Sequence, residues 1–339
     1  MTAGAAEPGG RAEPGAPPGP EGGHDGFRVG LVGHNIGPSL SPALHEREAA
    51  ALGYGYSYEL IDLAGVPGAD LGAVLEAAER DELVAVNVTH PFKQRVLEYV
   101  DVQSDAVRAI GSANLVLLGG YQRTAHNTDY TGFRAGLESF LGDRPRRRVL
   151  QVGAGGAGLA TAYSLVSMGF DEVVIHDLSE DAAQALVDRY QPGHPDTVLR
   201  TTGGNLAAWL PEVDGVVHVT PVGMAEHPGV AFAPEDLPAG AWVSEVVYRP
   251  LETELLRRAR AHGLGVLDGG RMAVGQAADS IRLITGAEPD RQRMLAHFRE
   301  LIGEPPGAAA DQQGQSPQRG GQSRPDRPGR DRTGHEGEG

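Results

Sequence analysis

The chain has 339 residues, 40% of them hydrophobic, a formal net charge of -16 and no cysteine. That length admits two domains and a sizeable core, while the charge would repel nucleic acid and anionic membranes. The lack of cysteine excludes disulfides, thiolate metal sites and a cysteine nucleophile, and agrees with a cytoplasmic setting.

Residues 1–25 are dominated by Gly, Pro, Ala and Glu, and residues 304–339 by Gly, Gln, Pro and Arg, without hydrophobic periodicity. Such segments cannot bury enough apolar surface to offset the entropy of ordering, so both are expected to be disordered tails. The first of them also lacks the apolar core of a signal peptide, and no later apolar run is long enough to span a bilayer. A cytoplasmic protein with a small-molecule substrate and neither membrane nor nucleic-acid partners is therefore expected.

Between the tails, Phe27 to Val32 reads as a strand. Ser41 followed by Pro42 has the form of a helix start, with Ser41 at the N-cap and Pro42 first in a helix running to about Leu52. Tyr56 to Leu63 alternates like a strand, Ala69 to Arg80 is helical, and Leu83 to Val88 is a buried strand. Pro91 is expected to open a helix reaching about Val100, and Ala113 to Leu118 is a further strand. Strands alternating with helices imply a largely parallel sheet, hence an α/β fold.

Beyond Thr131 a helix and a basic linker, Asp143 to Arg148, lead into Val149 to Val152, a strand that enters the turn Gly153-Ala154-Gly155-Gly156-Ala157-Gly158. A helix from Leu159 to Met168 and a strand from Val173 to His176 follow, ending in Asp177. This is the order of a dinucleotide site. Gly153 allows the tight turn, Gly155 lets backbone approach a pyrophosphate, Gly158 allows close helix–strand packing, and the helix N-terminus faces the phosphates. Asp177 stands where an acid can accept from the adenosine ribose hydroxyls, and its charge would repel a 2′-phosphate, which favours NAD over NADP. The alternative, Asp177 capping a helix that begins near Ser179, would leave three spaced glycines unexplained. Strands at Gly215 to Val219 and Ala241 to Val247, a helix at Leu251 to His262, a short strand at Gly265 to Leu267, and helices at Met272 to Thr285 and Arg291 to Ile302 complete the chain.

Two further stretches carry candidate chemistry. In Asn87-Val88-Thr89-His90-Pro91-Phe92-Lys93, a helix opened by Pro91 would put Lys93 in its first turn, where the dipole favours the neutral amine a general base needs. A solvated lysine on a helix face is the other reading. In Asn127-Thr128-Asp129, the acid is either a helix cap or a partner for the lysine. Ser39, Ser41, Thr89, Asn87 and Asn114, all at ends of elements, would offer a small polyol donors and acceptors around one titratable pair. His90 reads as a helix-start or surface residue. The histidines lack ligand spacing, so no metal is expected.

Ser39-Leu40-Ser41-Pro42-x-Leu44-His45, Asn87-Val88-Thr89-x-Pro91-x-Lys93, Asn127-Thr128-Asp129, the glycine turn and Gln276-Ala277 together resemble the shikimate dehydrogenase family, in the same order, over about residues 27–302. Asp177, Val247-Tyr248-x-Pro250-Leu251 and Leu267-Asp268-Gly269-Gly270-Arg271-Met272 look most like its NAD-dependent quinate/shikimate branch of actinobacterial type. The resemblance implies a substrate domain over 26–130, completed by helices from 272–302, a Rossmann NAD-binding domain over 131–271, and an active site in the cleft between them. It implies that Lys93, paired with Asp129, moves the proton. Ser39 and Ser41, helped by Thr89, would hold the substrate carboxylate, with Tyr248 near that end, and Asn87, Asn114, Asp129 and Gln276 would bind ring hydroxyls. Gly153, Ala154, Gly155, Gly156, Ala157, Gly158, Asp177, Thr220, Val222 and Gly270 would line the cofactor, and a homodimer is one assembly it admits.

The chain departs from the family pattern at three places. Leu115 follows Asn114 where a threonine is usual, the loop near the nicotinamide begins with His218 rather than asparagine, and Tyr130 stands where a small residue is expected and has the bulk to narrow or reshape the pocket. These departures would suit an amino-substituted analogue of shikimate or quinate. A binding or regulatory protein that kept the fold without turnover is the rival of another class, against which the retained Lys93 and Asp129 argue.

Overall fold

A computed structural model describes residues 26–66 and 68–303. The two tails expected from composition lie outside the described residues. The described residues form two six-stranded sheets.

The first sheet is built from β1 (Phe27–Gly33), α1 (Ser41–Ala51), β2 (Tyr56–Asp62), α2 (Leu71–Arg80), β3 (Ala85–Val88), β4 (Val102–Gln103), α3 (Asp105–Ile110), β5 (Leu115–Gly119) and β6 (Gln122–His126). Its order is β2-β1-β3-β5-β6-β4. The β1–β2 and β1–β3 pairs are parallel, but β5 runs antiparallel to both β3 and β6. The sheet is thus mixed, where simple strand–helix alternation predicts a largely parallel one. The difference is the β5–β6 hairpin. Gln122-Arg123-Thr124-Ala125-His126 carries almost no apolar pattern of its own and becomes a strand by pairing with β5.

Two local expectations are also corrected. No α-helix begins at Pro91. Phe92 N–H closes a turn on the Thr89 carbonyl, and a short 3-10 turn follows at Arg95–Tyr99. The Lys93 carbonyl instead accepts from Ala113 N–H at 2.8 Å, a tertiary bond that a regular helix would forgo. Helix α1 begins one residue earlier than expected: Leu40 is its N-cap, without a side-chain bond, and Ser41 is already helical.

The chain then crosses along α4 (Thr128–Leu141) into the second sheet: β7 (Arg148–Val152), α5 (Gly156–Ser167), β8 (Glu172–His176), α6 (Glu180–Tyr190), β9 (Val198–Thr201), α7 (Leu206–Trp209), β10 (Gly215–His218), β11 (Trp242–Glu245), α8 (Glu254–Ala261) and β12 (Gly265–Leu267). All its pairs are parallel, in the order β12-β11-β10-β7-β8-β9. Strand order reverses between β7 and β10, and the crevice beyond the strand ends at such a reversal is where open α/β sheets bind ligands. Helices cover both faces, so short apolar runs such as Val149-Leu150 and Val173-Val174-Ile175 are wholly buried.

Helices α9 (Gly270–Thr285) and α10 (Arg291–Leu301) return to the first sheet. Leu44 of α1 packs with Val274, Ala277, Ala278 and Ile281 of α9 and with Met294 and Phe298 of α10. Buried Glu48 accepts from Arg293 at 2.6 and 2.9 Å and from Asp290 N–H at 2.8 Å, which fixes α10 on α1. Among the described residues, no helix is long and apolar enough to cross a membrane.

Helices α4 and α9 touch backbone to backbone. A Cβ at Gly132 would come within 2.4 Å of Gln276 N, and one at Gly275 within 2.7 Å of the Gly132 Cα. Since α4 carries Asp129, this crossing also sets the depth of the site. Gly132→Ala should therefore destabilise the chain by about 1–3 kcal/mol, the usual range for overpacking; urea unfolding followed by circular dichroism measures it.

Candidate active site

The site is built where β3 ends and β5 and α4 begin. Lys93 Nζ donates to Asp129 Oδ2 at 2.6 Å, with side-chain exposures of 21% and 11%. The lysine comes from the turn after β3. The aspartate lies in the first turn of α4, where the dipole favours a carboxylate. Asn127 is the cap of that helix, accepting from Tyr130 N–H at 3.1 Å, so Asp129 is left for other partners.

Asn114 orients the acid. Its amide donates to Asp129 Oδ1 at 3.2 Å and Thr128 Oγ1 at 2.9 Å, and its oxygen accepts from Thr128 N–H at 2.6 Å. Asn87 sits one strand away, donating to the Asn114 carbonyl at 3.2 Å and Ser280 Oγ at 3.3 Å and accepting from the Tyr58 hydroxyl at 3.0 Å. The Ser280 and Thr128 hydroxyls meet at 3.1 Å. Both asparagines thus have their amide hydrogens engaged, and an incoming hydroxyl reaches either one by sharing or replacing a bond.

The other expected substrate contacts lie around this network. Ser39 Oγ accepts from Ser41 N–H at 3.3 Å at the start of α1. Burial pushes the ionisation of the Tyr58 hydroxyl far up, and nearby Ser41 opposes that only in part. Thr89 is half-buried beside Gly33, and Gln276 lies half-buried on α9, donating to the Ala273 carbonyl at 3.1 Å. Tyr248 keeps 39% of its surface exposed, yet burial of its hydroxyl side raises its ionisation, opposed by the charges of Arg249 and Lys93 and reinforced by Asp129. Those couplings put the phenol within electrostatic range of the pair. Arg249 donates to the Pro38 carbonyl at 2.6 Å, so the loop after β11 meets the loop carrying Ser39.

The glycine turn lies in the second sheet, between β7 and α5. Gly153 adopts φ +115°, and a Cβ there would fall 2.7 Å from the Val219 carbonyl oxygen, so only glycine fits. A Cβ at Gly158 would lie 2.8 Å from the Gly153 carbonyl oxygen, whereas at Gly155 or Gly156 it would meet nothing within 4 Å. No side chain caps α5 at Gly155. First-turn N–H groups facing open space, with Ala154 and Ala157 beside them, fit a pyrophosphate. Asp177 Oδ2 accepts from Ala154 N–H at 2.7 Å and Oδ1 from Ser179 N–H at 2.9 Å, so the acid lies against the turn and also braces the start of α6. Thr220 and Val222 occupy the loop after β10, across the strand-order reversal from this turn. Gly270 is buried at the start of α9, its N–H held by Asp268 at 3.0 Å.

The family model described as "Shikimate dehydrogenase substrate binding domain" matches residues 31–116. A shikimate dehydrogenase (NADP(+)) of Streptomyces avermitilis is 46% identical over 290 residues, 82% of this chain and 97% of its own. The chain belongs to the shikimate dehydrogenase family. A quinate/shikimate dehydrogenase (NAD(+)) of Corynebacterium efficiens is 43% identical, over 82% of this chain and 99% of its own. A solved structure of quinate dehydrogenase from Corynebacterium glutamicum in complex with NAD is 41% identical, covers 81% of this chain and 99% of its own, and superposes with a TM-score of 0.76.

Several residues that shape this family member's site were not singled out by its motifs. Gln151, fully buried in β7, donates to the Gly153 and Gly158 carbonyls at 2.9 and 3.0 Å and accepts from Thr161 Oγ1, bracing the glycine turn from within. A lone amide in the apolar run Val149-Leu150-Gln151-Val152 was the available signal, because buried polar groups need partners. Tyr58 and Ser280 gave none, since their roles arise from elements distant in the chain, whereas Thr128 stands within the Asn127-Thr128-Asp129 motif. Two departures also resolve. Leu115 is fully buried with Val29, Leu31 and Ile284. Tyr130 turns its ring onto Tyr163 of α5, with centroids 4.9 Å apart, and its hydroxyl accepts from Arg134 at 3.0 Å. The Tyr130 ring thus packs against the second sheet's core.

His45 of the serine motif is 1% exposed, with Nδ1 3.1 Å from the Tyr56 hydroxyl and its ring 4.8 Å from that of Tyr58. Burial lowers its pKa from 6.5 to about 3, so it stays neutral in the fold. Unfolded chains take up a proton below the ordinary value while the folded chain does so only near pH 3, so this group makes stability fall as pH drops through that window. Urea midpoints measured from pH 7 to 4 should decline, and His45→Gln should flatten part of that decline.

Proposed function

We propose that the chain is an NAD-dependent oxidoreductase that interconverts shikimate and 3-dehydroshikimate, or quinate and 3-dehydroquinate. The observation that carries this reading is the 2.6 Å bond between Lys93 and Asp129, in a chain that also holds an open glycine turn at the head of α5. Bound NAD would supply the hydride acceptor for the carbinol carbon. Lys93 Nζ takes the hydroxyl proton as that carbon loses hydride and becomes a ketone, and returns it in the reductive direction. Asp129, held by Asn114, orients the amine and stabilises the ammonium formed. Ser39, Ser41 and Thr89 receive the substrate carboxylate, with Tyr248 beside it, and Asn87, Asn114 and Gln276 meet ring hydroxyls. Holding the alcohol between the two halves supplies much of the rate through positioning. It works in the cytoplasm on small molecules alone, and a homodimer is an assembly the chemistry does not require.

The named relatives divide between NADP and NAD, so identity alone does not choose the cofactor. Asp177 supports NAD: its carboxylate lies on the turn that receives the dinucleotide, and Leu178-Ser179-Glu180-Asp181 supplies no cation for a 2′-phosphate. Against the amino-substituted analogue stand the positions that favoured it. Leu115 and His218 are fully buried and Tyr130 packs on α5, so none of them points to a changed ring substituent.

Lys93→Ala should lower kcat by about 10²–10⁴-fold, the usual worth of a general acid–base group, while NADH binding by fluorescence titration stays near that of the parent. Normal turnover by that variant would remove the proton carrier and the assignment with it. Separately, steady-state rates should favour NAD over NADP by more than about tenfold, and Asp177→Ser should narrow that ratio, because a like charge beside a phosphate costs on the order of 1 kcal/mol or more.

A further inference from the structure

One buried charged network lies outside the proton-transfer pair. His218 ends β10 and Glu245 ends β11, they are register partners, and both side chains are completely buried. Glu245 is met from every side by donors: Val246 N–H at 2.9 Å, Val247 N–H at 3.0 Å, Thr253 Oγ1 at 3.2 Å and His218 Nδ1 at 2.9 Å. On the other edge of the imidazole, Nε2 lies 2.6 Å from Thr220 Oγ1, which also accepts from Val222 N–H at 3.2 Å.

A carboxylate only accepts, so the ring proton belongs on Nδ1. In the neutral ring Nε2 is then an acceptor, and the Thr220 hydroxyl must donate to it. The same carboxylate that orients the ring holds the backbone leading to Tyr248. Glu245 therefore ties the loop after β10, on the cofactor side, to the loop after β11, on the substrate side.

We propose that His218 and Glu245 are positioning residues for the nicotinamide-side loop: they turn the Thr220 hydroxyl inward, so that the backbone of Thr220–Gly223, rather than that hydroxyl, faces the nicotinamide ring. This rests on the dehydrogenase reading above, and it makes Thr220 a tie within the loop instead of a cofactor ligand.

The test uses the full chain carrying Glu245→Gln, Thr220→Val, Thr220→Ser and the Glu245→Gln/Thr220→Val pair. Glutamine keeps the size, and its oxygen can still accept from Val246 and Val247, but the oxygen 3.0 Å from Nδ1 becomes an NH2 that competes with the ring N–H, and the charge that orients the ring is lost, which loosens the hold on the Thr220 hydroxyl. Without cofactor, amide hydrogen exchange over residues 219–223 should then quicken by more than about tenfold, since exchange reports local opening. With substrates, kcat should fall about 10- to 100-fold, as for a small misplacement of reacting groups, while the KM for the ring alcohol stays within about twofold. Thr220→Val should lose as much, Thr220→Ser should keep near-parent rates, and the double variant should be no worse than Thr220→Val alone, because the two changes break one chain of bonds.

Additive losses, unchanged exchange, or equal damage from Ser and Val at position 220 would overturn the proposal. Should Glu245→Gln fail to fold, the Ser/Val comparison decides alone. A parent protein that turned over neither shikimate nor quinate would overturn the dehydrogenase reading, whereas the exchange measurements and NADH titrations would still decide the loop's tie to His218 and Glu245.

Discussion

Everything at the substrate end depends on one hydrogen-bonded ion pair, Lys93 with Asp129, whose members sit 36 residues apart on elements that have no local reason to meet. The lysine is held by its own carbonyl, which accepts from Ala113 N–H at the start of β5. The aspartate is held by the dipole of α4 and by Asn114. An ion pair this enclosed is costly to desolvate unless its remaining lone pairs and protons are satisfied. The chain of bonds through Asn114, Thr128, Ser280, Asn87 and Tyr58 starts on Asp129 Oδ1, giving the carboxylate a second partner, and ties β2, β3 and α4 to α9.

The same logic operates in the second half with different residues. Its sheet is apolar on both faces, and Gln151, His218 and Glu245, buried there, each have a specific partner set. Gln151 braces the glycine turn from below, and Glu245 and His218 brace the loop across the reversal of strand order. Each fixes backbone at the ligand-facing end of a strand without needing to touch a ligand. Low local dielectric strengthens such fully satisfied networks and makes partial ones expensive, which favours a single arrangement of the loops.

The long helices connect these two polar systems. Helix α4 carries Asp129 at its start and packs on α5 of the nucleotide-binding sheet, while α9 lies against α4 so closely that two glycines meet. Displacement of either helix would move Asp129, Ser280 and Gln276 together, so the Lys93–Asp129 pair and the helix that follows the glycine turn share one mechanical frame.

Much of this was legible in the sequence. The strand–glycine turn–helix–strand–acid order, the continuous apolar strands of the second sheet, and the Asn87, Lys93 and Asp129 motifs are local patterns, and local patterns carry their own physics of dipoles, steric freedom and burial. What needed tertiary structure was everything settled by partners distant in the chain. Gln122 to His126 became a strand because β5 was there to pair with it, Pro91 failed to open a helix because the Lys93 carbonyl found Ala113, and the Tyr130 ring settled on Tyr163, 33 residues away. The sequence by itself determined which chemical groups the protein holds and the sheet that can cradle a dinucleotide. Only the folded chain decided which buried polar atoms face one another, because a hydrogen bond's partner is chosen by geometry over a few ångströms, and spacing along the chain does not encode that distance.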